Sequence, residues 1–377
     1  MKVALVHMRS APTGGTERYL SQLAGFLVGR GHRVHVVCRS HRGAEVPGAA
    51  YIRLRRPAIG AAWRMAAFAR SVQRHVERSD YDVVLGLGRT FSHDVVRLGG
   101  GCHATYLELA QRAQLDGRGV LGAGRLKDRV MLALEARGLA PGAYRYVMTN
   151  SKMVKRDVMA RHGVPEEQIR VIYNGVDTER FHPKLRARQG ASLRMELGIG
   201  RDDFVVLFLG TGYGRKGLGR VLDALPELRR AEPRTRLIVV GYDSDQGPYR
   251  KRAPAEAVRF VGGRLDTERF YAMSNVYVLP TLYDPFANTT LEALATGVPV
   301  VTTPMNGAAE LIEDGVQGSI LDLGVVSSLA GAVLHWHAAE RREAAKVAAR
   351  ALAEKHSAER AAAESAALLE AVAAEGR

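Results

Sequence analysis

The stretch Asp284-Pro-Phe-Ala-Asn-Thr-Thr-Leu-Glu292-Ala-Leu-Ala-Thr-Gly-Val-Pro-Val-Val301 sets two carboxylates eight positions apart across a short loop and the start of a helix. The apolar residues before it, Val276, Val278 and Leu279, predict a strand, and Pro280 and Pro285 bracket a turn. The spacing from Thr289 to Ala295 predicts a helix that Gly297-Val298-Pro299 ends. A helix that begins straight after a strand presents unpaired backbone N–H groups, which suit an anion. On this reading Asp284 lies at the loop mouth and Glu292, two turns on, faces the same cleft. One carboxylate can accept hydrogen bonds from a sugar and the other from a ribose.

Outward from this stretch the chain alternates apolar strands with helical patterns. The first half predicts strands at Val3–His7, Val34–Cys38, Tyr51–Leu54, Val83–Leu87, Tyr146–Thr149 and Ile169–Tyr173. The second predicts them at Phe204–Leu209, Leu237–Gly241, Val258–Val261, Val276–Leu279 and Val298–Thr302. Strands separated by helices imply parallel sheets covered on both faces, so the fold class is α/β with two Rossmann-like domains. The turn signal Asn174-Gly175-Val176-Asp177 puts the boundary at 174/175, giving domains 1–174 and 175–350. Residues 351–377 are rich in Ala and Glu, which predicts a terminal helix.

A length of 377 residues accommodates two cores, and 46% hydrophobic with 25% charged residues is ordinary globular composition. Two cysteines, Cys38 and Cys102, argue against a disulfide framework. Neither a signal peptide nor a membrane span is read from the sequence, so the expected location is cytoplasmic. The net charge of +15 is lopsided. Residues 1–174 carry 28 Lys and Arg against 13 Asp and Glu, whereas residues 175–377 carry 26 of each. An anionic partner on the first half is the physical implication. Nucleic acid is disfavoured, because stacking aromatics do not interleave the cations.

A second chemical element is Leu209-Gly-Thr-Gly-Tyr-Gly-Arg215-Lys216-Gly217. Its glycines allow close backbone approach, Arg215 can fork onto phosphate oxygens, and Lys216 adds a point charge. Gly212, Gly214 and Gly217 also fit a dinucleotide fingerprint, but the cations at the variable positions and the distant Asp243 argue against a nicotinamide enzyme. Asp243-Ser244-Asp245 spells a DxD in a polar turn, where no metal is expected. After the first strand, Pro12-Thr13-Gly14-Gly15-Thr16-Glu17 offers a tight turn and a helix N-terminus. Between Tyr106 and Arg137, cations interleaved with leucines read either as an interfacial segment on anionic membrane or as an ordinary solvated face.

The acidic-x7-acidic spacing, the loop Gly214–Gly217 and the junction Asn174–Asp177 together resemble the retaining GT-B glycosyltransferases of family 4 (glycosyl transferases group 1). Where that family usually carries Glu, this chain has Asp284, one methylene shorter. Gly86-Leu87-Gly88-Arg89 and Asp94-Val-Val-Arg97-Leu-Gly-Gly-Gly-Cys102-His103 are similar to the subgroup that adds the first glucose to the lipopolysaccharide inner core. Some members carry Asp in that glycine run, where this chain has Gly.

The resemblance implies two Rossmann-like domains facing across a cleft, with the terminal helix crossing back to the first. It implies a donor site of Gly14, Gly15, Arg215, Lys216, Arg264, Asp284, Phe286, Ala287, Asn288, Thr289 and Glu292. In it Glu292 holds the ribose, Arg215 and Lys216 the diphosphate, and Asp284 the sugar hydroxyls. Catalysis falls to Asp284, His103, Arg215 and Lys216, and acceptor binding to Arg89, Arg97 and His103; Glu310 either supports the cleft or only favours a helix N-terminus. The implied co-substrate is a nucleotide sugar, UDP-glucose foremost, with no metal. The implied acceptor is an anionic glycolipid or glycan, reached by peripheral contact at the inner face of the cytoplasmic membrane. A sugar-nucleotide epimerase on the same fold and a basic nucleic-acid-binding protein are the alternatives.

Overall fold

The computed structural model describes residues 1–11, 14–43, 45–112, 123–321 and 327–376. The chain divides into two compact units, Met1–Asn174 with Ala358–Arg377, and Gly175–Ser357. The second unit therefore runs beyond position 350, because the helix Ala339–Glu354 spans that point without a break.

Among its described residues the first unit has nine strands: β1 (Lys2–Val6), β2 (Arg9–Ser10), β3 (Arg33–Cys38), β4 (Ser40–His41), β5 (Ala50–Arg53), β6 (Val83–Gly86), β7 (Val95–Arg97), β8 (Tyr146–Thr149) and β9 (Ile169–Val171). Seven build one sheet in the order β5-β3-β1-β6-β7-β8-β9, and all the pairings are parallel. Side chains along β1 alternate between two cores, as the pleat requires. Val3 and Leu5 pack with Leu20, Leu23 and Leu27 of the helix Gly15–Gly29. Ala4 and Val6 pack with Phe68, Val72 and Val76 of the helix Ala61–Glu77 on the other face. The terminal helix Ala358–Ala374 adds Ala366, Leu369 and Val372 to the first of these cores. Its Ser365 hydroxyl accepts from Tyr19 at 2.8 Å.

The second unit holds β10 (Phe204–Leu209), β11 (Thr235–Val240), β12 (Val258–Gly262), β13 (Val276–Leu279), β14 (Val300–Thr302) and β15 (Gly318–Ile320). Their order is β12-β11-β10-β13-β14-β15, again parallel throughout. Every residue of β10 is buried, as a central strand covered on both faces demands.

β7 and β15 were not expected from sequence. Both are three residues long, too short to show a period. β14 begins at Val300 rather than Val298, because Gly297 has a φ of 76° and the turn runs through Pro299, whose carbonyl accepts from Tyr277 at 2.9 Å.

Candidate functional site

In the second unit the strand order reverses between β10 and β13, whose successors lie on opposite sides. The loops leaving the C-terminal ends of two such strands diverge and frame a crevice, the usual ligand position in open α/β sheets. The loop after β10 carries Arg215 and Lys216, and the loop after β13 carries Asp284. Topology therefore joins the two motifs that the sequence separates. The Arg215 carbonyl accepts from Leu282 N–H at 2.9 Å and from the Thr281 hydroxyl at 3.0 Å. Gly217 sits at φ 86°, and a Cβ there would overlap the Pro280 carbonyl oxygen. Only glycine lets the loops approach this closely.

Arg215 donates through Nη1 to the Tyr283 carbonyl at 2.9 Å and to Asp284 Oδ2 at 3.2 Å. Lys216 Nζ donates to the same carboxylate oxygen. Lys216 is 8% exposed and Asp284 6%. Burial pushes the Asp284 carboxyl up, but Lys216 and Arg215 outweigh it and hold it below the ordinary carboxylate value. Burial lowers Lys216, with Asp284 opposing and Arg215 adding to the fall.

Glu292 lies on the helix Asn288–Ala295 and is 3% exposed. Its Oε2 accepts from the Tyr271 hydroxyl at 2.9 Å. The Thr289 hydroxyl oxygen accepts from Tyr277 at 2.7 Å. Buried Asn306 ties the helix start to the loop after β14. Its Oδ1 accepts from Ala287 N–H and Ala308 N–H, each at 3.1 Å, and its Nδ2 donates to Thr290 and Thr302 at 2.9 and 3.1 Å. The Ala287 amide, at a position expected in the donor site, thus donates to Asn306. Phe286 is buried, whereas Asn288 and Thr289 begin the helix half-exposed.

Sequence reasoning missed Asn306 and Tyr271. The Asn306-Gly307 turn after a strand was a usable signal for the first. Tyr271 carried none, because its partner is 21 residues away in sequence.

Elsewhere in the second unit, Arg264 is exposed and forked onto Asp266 at 2.9 and 2.8 Å. The DxD is turn-forming: Asp243 accepts from Tyr213 N–H and Asp245 N–H, and Asp245 accepts from Gly247 N–H. Glu310 falls in the short 3-10 turn Gly307–Leu311.

In the first unit Gly14 has φ 114°, and Glu17 folds back over it while pairing with Arg9 at 2.6 Å. Gly15 starts the helix, and Pro12 and Thr13 lie outside the described residues. His103 opens the helix His103–Arg112, and its Nε2 meets Asp128 Oδ1 at 2.9 Å. Burial lowers its pKa against the opposing pull of Asp128. Both oxygens of buried Glu135 accept the His103 N–H at 3.0 Å. Arg89 stands 3.4 Å from the same carboxylate.

Arg97, expected at the acceptor, is 4% exposed; its guanidinium lies 3.7 Å over the Tyr19 ring, and it donates to Asn174 Oδ1 within the first unit.

Among the described residues, one group of three metal-ligating side chains lies close enough to share an ion: Cys102, Glu135 and His162. The Arg89 guanidinium already supplies positive charge to that carboxylate. No described helix is long and apolar enough to cross a membrane. Of the amphipathic stretch 106–137, residues 113–122 lie outside the described set, between the helices His103–Arg112 and Ala123–Gly138.

Residues 203–338 match the family described as glycosyl transferases group 1, and residues 13–180 match Glycosyltransferase Family 4. The crystal structure of WaaG, a glycosyltransferase involved in lipopolysaccharide biosynthesis, superposes with a TM-score of 0.82 at 23% identity, covering 97% of this chain and 99% of that one. Anabaena HepE in complex with UDP-glucose gives 0.75 at 20% identity, covering 98% and 100%. Two parallel-sheet units of this pattern are the GT-B fold, and the class is nucleotide-sugar-dependent glycosyltransferase.

By sequence, the lipopolysaccharide glucosyltransferase WaaG of Escherichia coli is 26% identical over 336 residues, 85% of each chain. A GDP-mannose-dependent phosphatidylinositol monomannoside mannosyltransferase of Mycobacterium tuberculosis is 30% identical over 346 residues, 85% of this chain and 84% of that protein. The chain belongs to glycosyltransferase family 4.

Proposed function

We propose that the protein transfers a hexose, glucose from UDP-glucose, with retention of configuration, onto a phosphorylated glycolipid or polysaccharide such as a lipopolysaccharide core. The observation that carries this reading is the meeting of Arg215 and Lys216 with Asp284 at the strand-order reversal of the second unit, beside a helix that buries Glu292. Arg215 and Lys216 hold the diphosphate and neutralise the charge that develops as it leaves, so no metal is required. Glu292, oriented by Tyr271, takes the ribose hydroxyls. The acceptor hydroxyl attacks from the face the diphosphate leaves, and the departing phosphate takes its proton. His103, held by Asp128, positions that hydroxyl, and Arg89 contributes positive charge toward an acidic acceptor.

Glucose and a lipopolysaccharide-type acceptor are supported by the likeness to WaaG, and UDP by the likeness to HepE bound to UDP-glucose. The 28 cations of residues 1–174 suit an acidic acceptor at the inner face of the cytoplasmic membrane. The mannosyltransferase relative favours GDP-mannose as the competing donor. Saturation-transfer NMR with UDP-glucose, UDP-GlcNAc, GDP-mannose and ADP-heptose decides between them. UDP-glucose is expected to bind selectively, and Glu292→Ala and Lys216→Ala each to abolish the signal. Binding of none at millimolar concentration would reject the donor site.

A further inference from the structure

We propose that His7 is an acceptor-binding residue: from the first unit its Nε2 accepts a hydrogen bond from a sugar hydroxyl of the acceptor. The inference deepens the transferase reading above and rests on it.

The first unit has a strand-order reversal of its own. Across the sheet β1 is followed by β3 on one side, and β6 by β7 on the other. The loops leaving the C-terminal ends of β1 and β6 therefore diverge and frame a crevice. His7 stands directly after β1, and Leu87, Gly88 and Arg89 directly after β6. The His7 Nδ1 lies 3.0 Å from the Leu87 carbonyl oxygen. One histidine thus ties the two loops together, two residues from Arg89.

The backbone is held at both loops. His7 N–H donates to the Val37 carbonyl at 3.0 Å, and Leu87 N–H donates to the Val6 carbonyl at 2.8 Å. Chemistry then decides the tautomer. A carbonyl oxygen only accepts, so Nδ1 carries the proton and Nε2 of the neutral ring keeps its lone pair. Among the described residues nothing hydrogen-bonds Nε2, and His7 is partly exposed. Burial lowers the pKa from 6.5; Glu17 and the Leu87 carbonyl oppose the fall, and Arg9 adds to it. The ring is therefore neutral near pH 7. Glu17 and Arg9 pair with each other at 2.6 Å, which leaves Nε2 to an outside ligand.

A neutral nitrogen lone pair selects what it binds. It accepts from an O–H, whereas a phosphate oxygen is itself an acceptor and gains nothing there. His7 accordingly suits the hydroxyl-bearing part of an acidic acceptor, and the neighbouring Arg89 its anionic part.

Steady-state transfer from UDP-glucose to deacylated lipopolysaccharide core lacking its first glucose tests this on wild type, His7→Phe and His7→Gln. Circular dichroism melting verifies that each variant is folded, and saturation-transfer NMR follows UDP-glucose binding. His7→Phe, which keeps a ring but no nitrogen, is expected to raise the acceptor KM about tenfold and to leave UDP-glucose affinity within about twofold. His7→Gln, whose amide oxygen can accept, should recover most of that loss. In wild type the acceptor KM should also rise as pH falls below 6.5, because protonation removes the lone pair; His7→Gln should lack that rise. The proposal is overturned if folded His7→Phe keeps the wild-type acceptor KM, since His7 then only joins two loops. A loss that His7→Gln does not recover overturns it too, as does a change confined to UDP-glucose affinity. If wild type binds no UDP-glucose, or binds it and does not glycosylate the core, the transferase reading fails at the donor or at the acceptor, and this inference falls with it.

Discussion

At the scale of single residues, buried polar groups carry the sharpest consequences. His93 lies in the first unit, its Nε2–H donating to the Gly138 carbonyl at 3.1 Å and its Nδ1 meeting the Thr90 hydroxyl at 3.2 Å. Burial lowers its pKa from 6.5 to about 4. Between those values the unfolded chain binds the extra proton, so stability rises with pH across this window and falls as pH is lowered through it. The span corresponds to about 3 kcal/mol. Urea titrations from pH 7 to pH 4 should show this slope flattened in His93→Gln relative to wild type. Asn306→Ala removes the acceptor of the Ala287 and Ala308 amides and the donor to the Thr290 and Thr302 hydroxyl oxygens, of which Thr302 keeps its bond to the Leu279 carbonyl. It should lower stability by about 3 kcal/mol, with chemical denaturation as the measure. Asp284, Glu292, Arg215 and Lys216 were legible in sequence because their spacing within two loops is local. Asn306 and Tyr271 were not, because each acts through a partner distant along the chain.

Among elements, the two loops at the C-terminal ends of β10 and β13 matter most. Their closeness depends on Gly217, which combines a left-handed φ with contact against the Pro280 carbonyl. Gly217→Ala meets both obstacles, so it should cost more than about 1 kcal/mol in stability and weaken nucleotide-sugar binding measured by saturation-transfer NMR. Alanine at Gly331, where nothing lies within 4 Å, is the control and should leave binding unaltered. The apolar strands β10, β11 and β13 were evident from composition, because central parallel strands bury nearly every side chain, Arg236 of β11 being partly exposed. β7 and β15 escaped notice because three residues carry no period, and pairing with a neighbour alone defines them.

For the molecule as a whole, the division of the chain differs from its order in sequence. The last helix, Ala358–Ala374, belongs to the first unit, where Leu369 is fully buried against the helix Gly15–Gly29 and β1. Leu369→Ala should destabilise that unit by about 3 kcal/mol. Hydrogen exchange should then quicken in the helix Gly15–Gly29 and stay unchanged in the helix Asn288–Ala295 of the second unit.

The sequence by itself determined the class, two parallel α/β units with a cationic glycine loop and an acidic helix start, because strand hydrophobicity and loop chemistry are local. It also determined the charge asymmetry, which is a matter of composition. Tertiary structure alone decided which groups meet. Strand order brings the loop of Arg215 and Lys216 onto Asp284, 69 and 68 residues apart in sequence. Packing turned Arg97 inward over Tyr19. It also carried the final helix into the first unit. These outcomes depend on non-local contacts, and no window of sequence contains both partners.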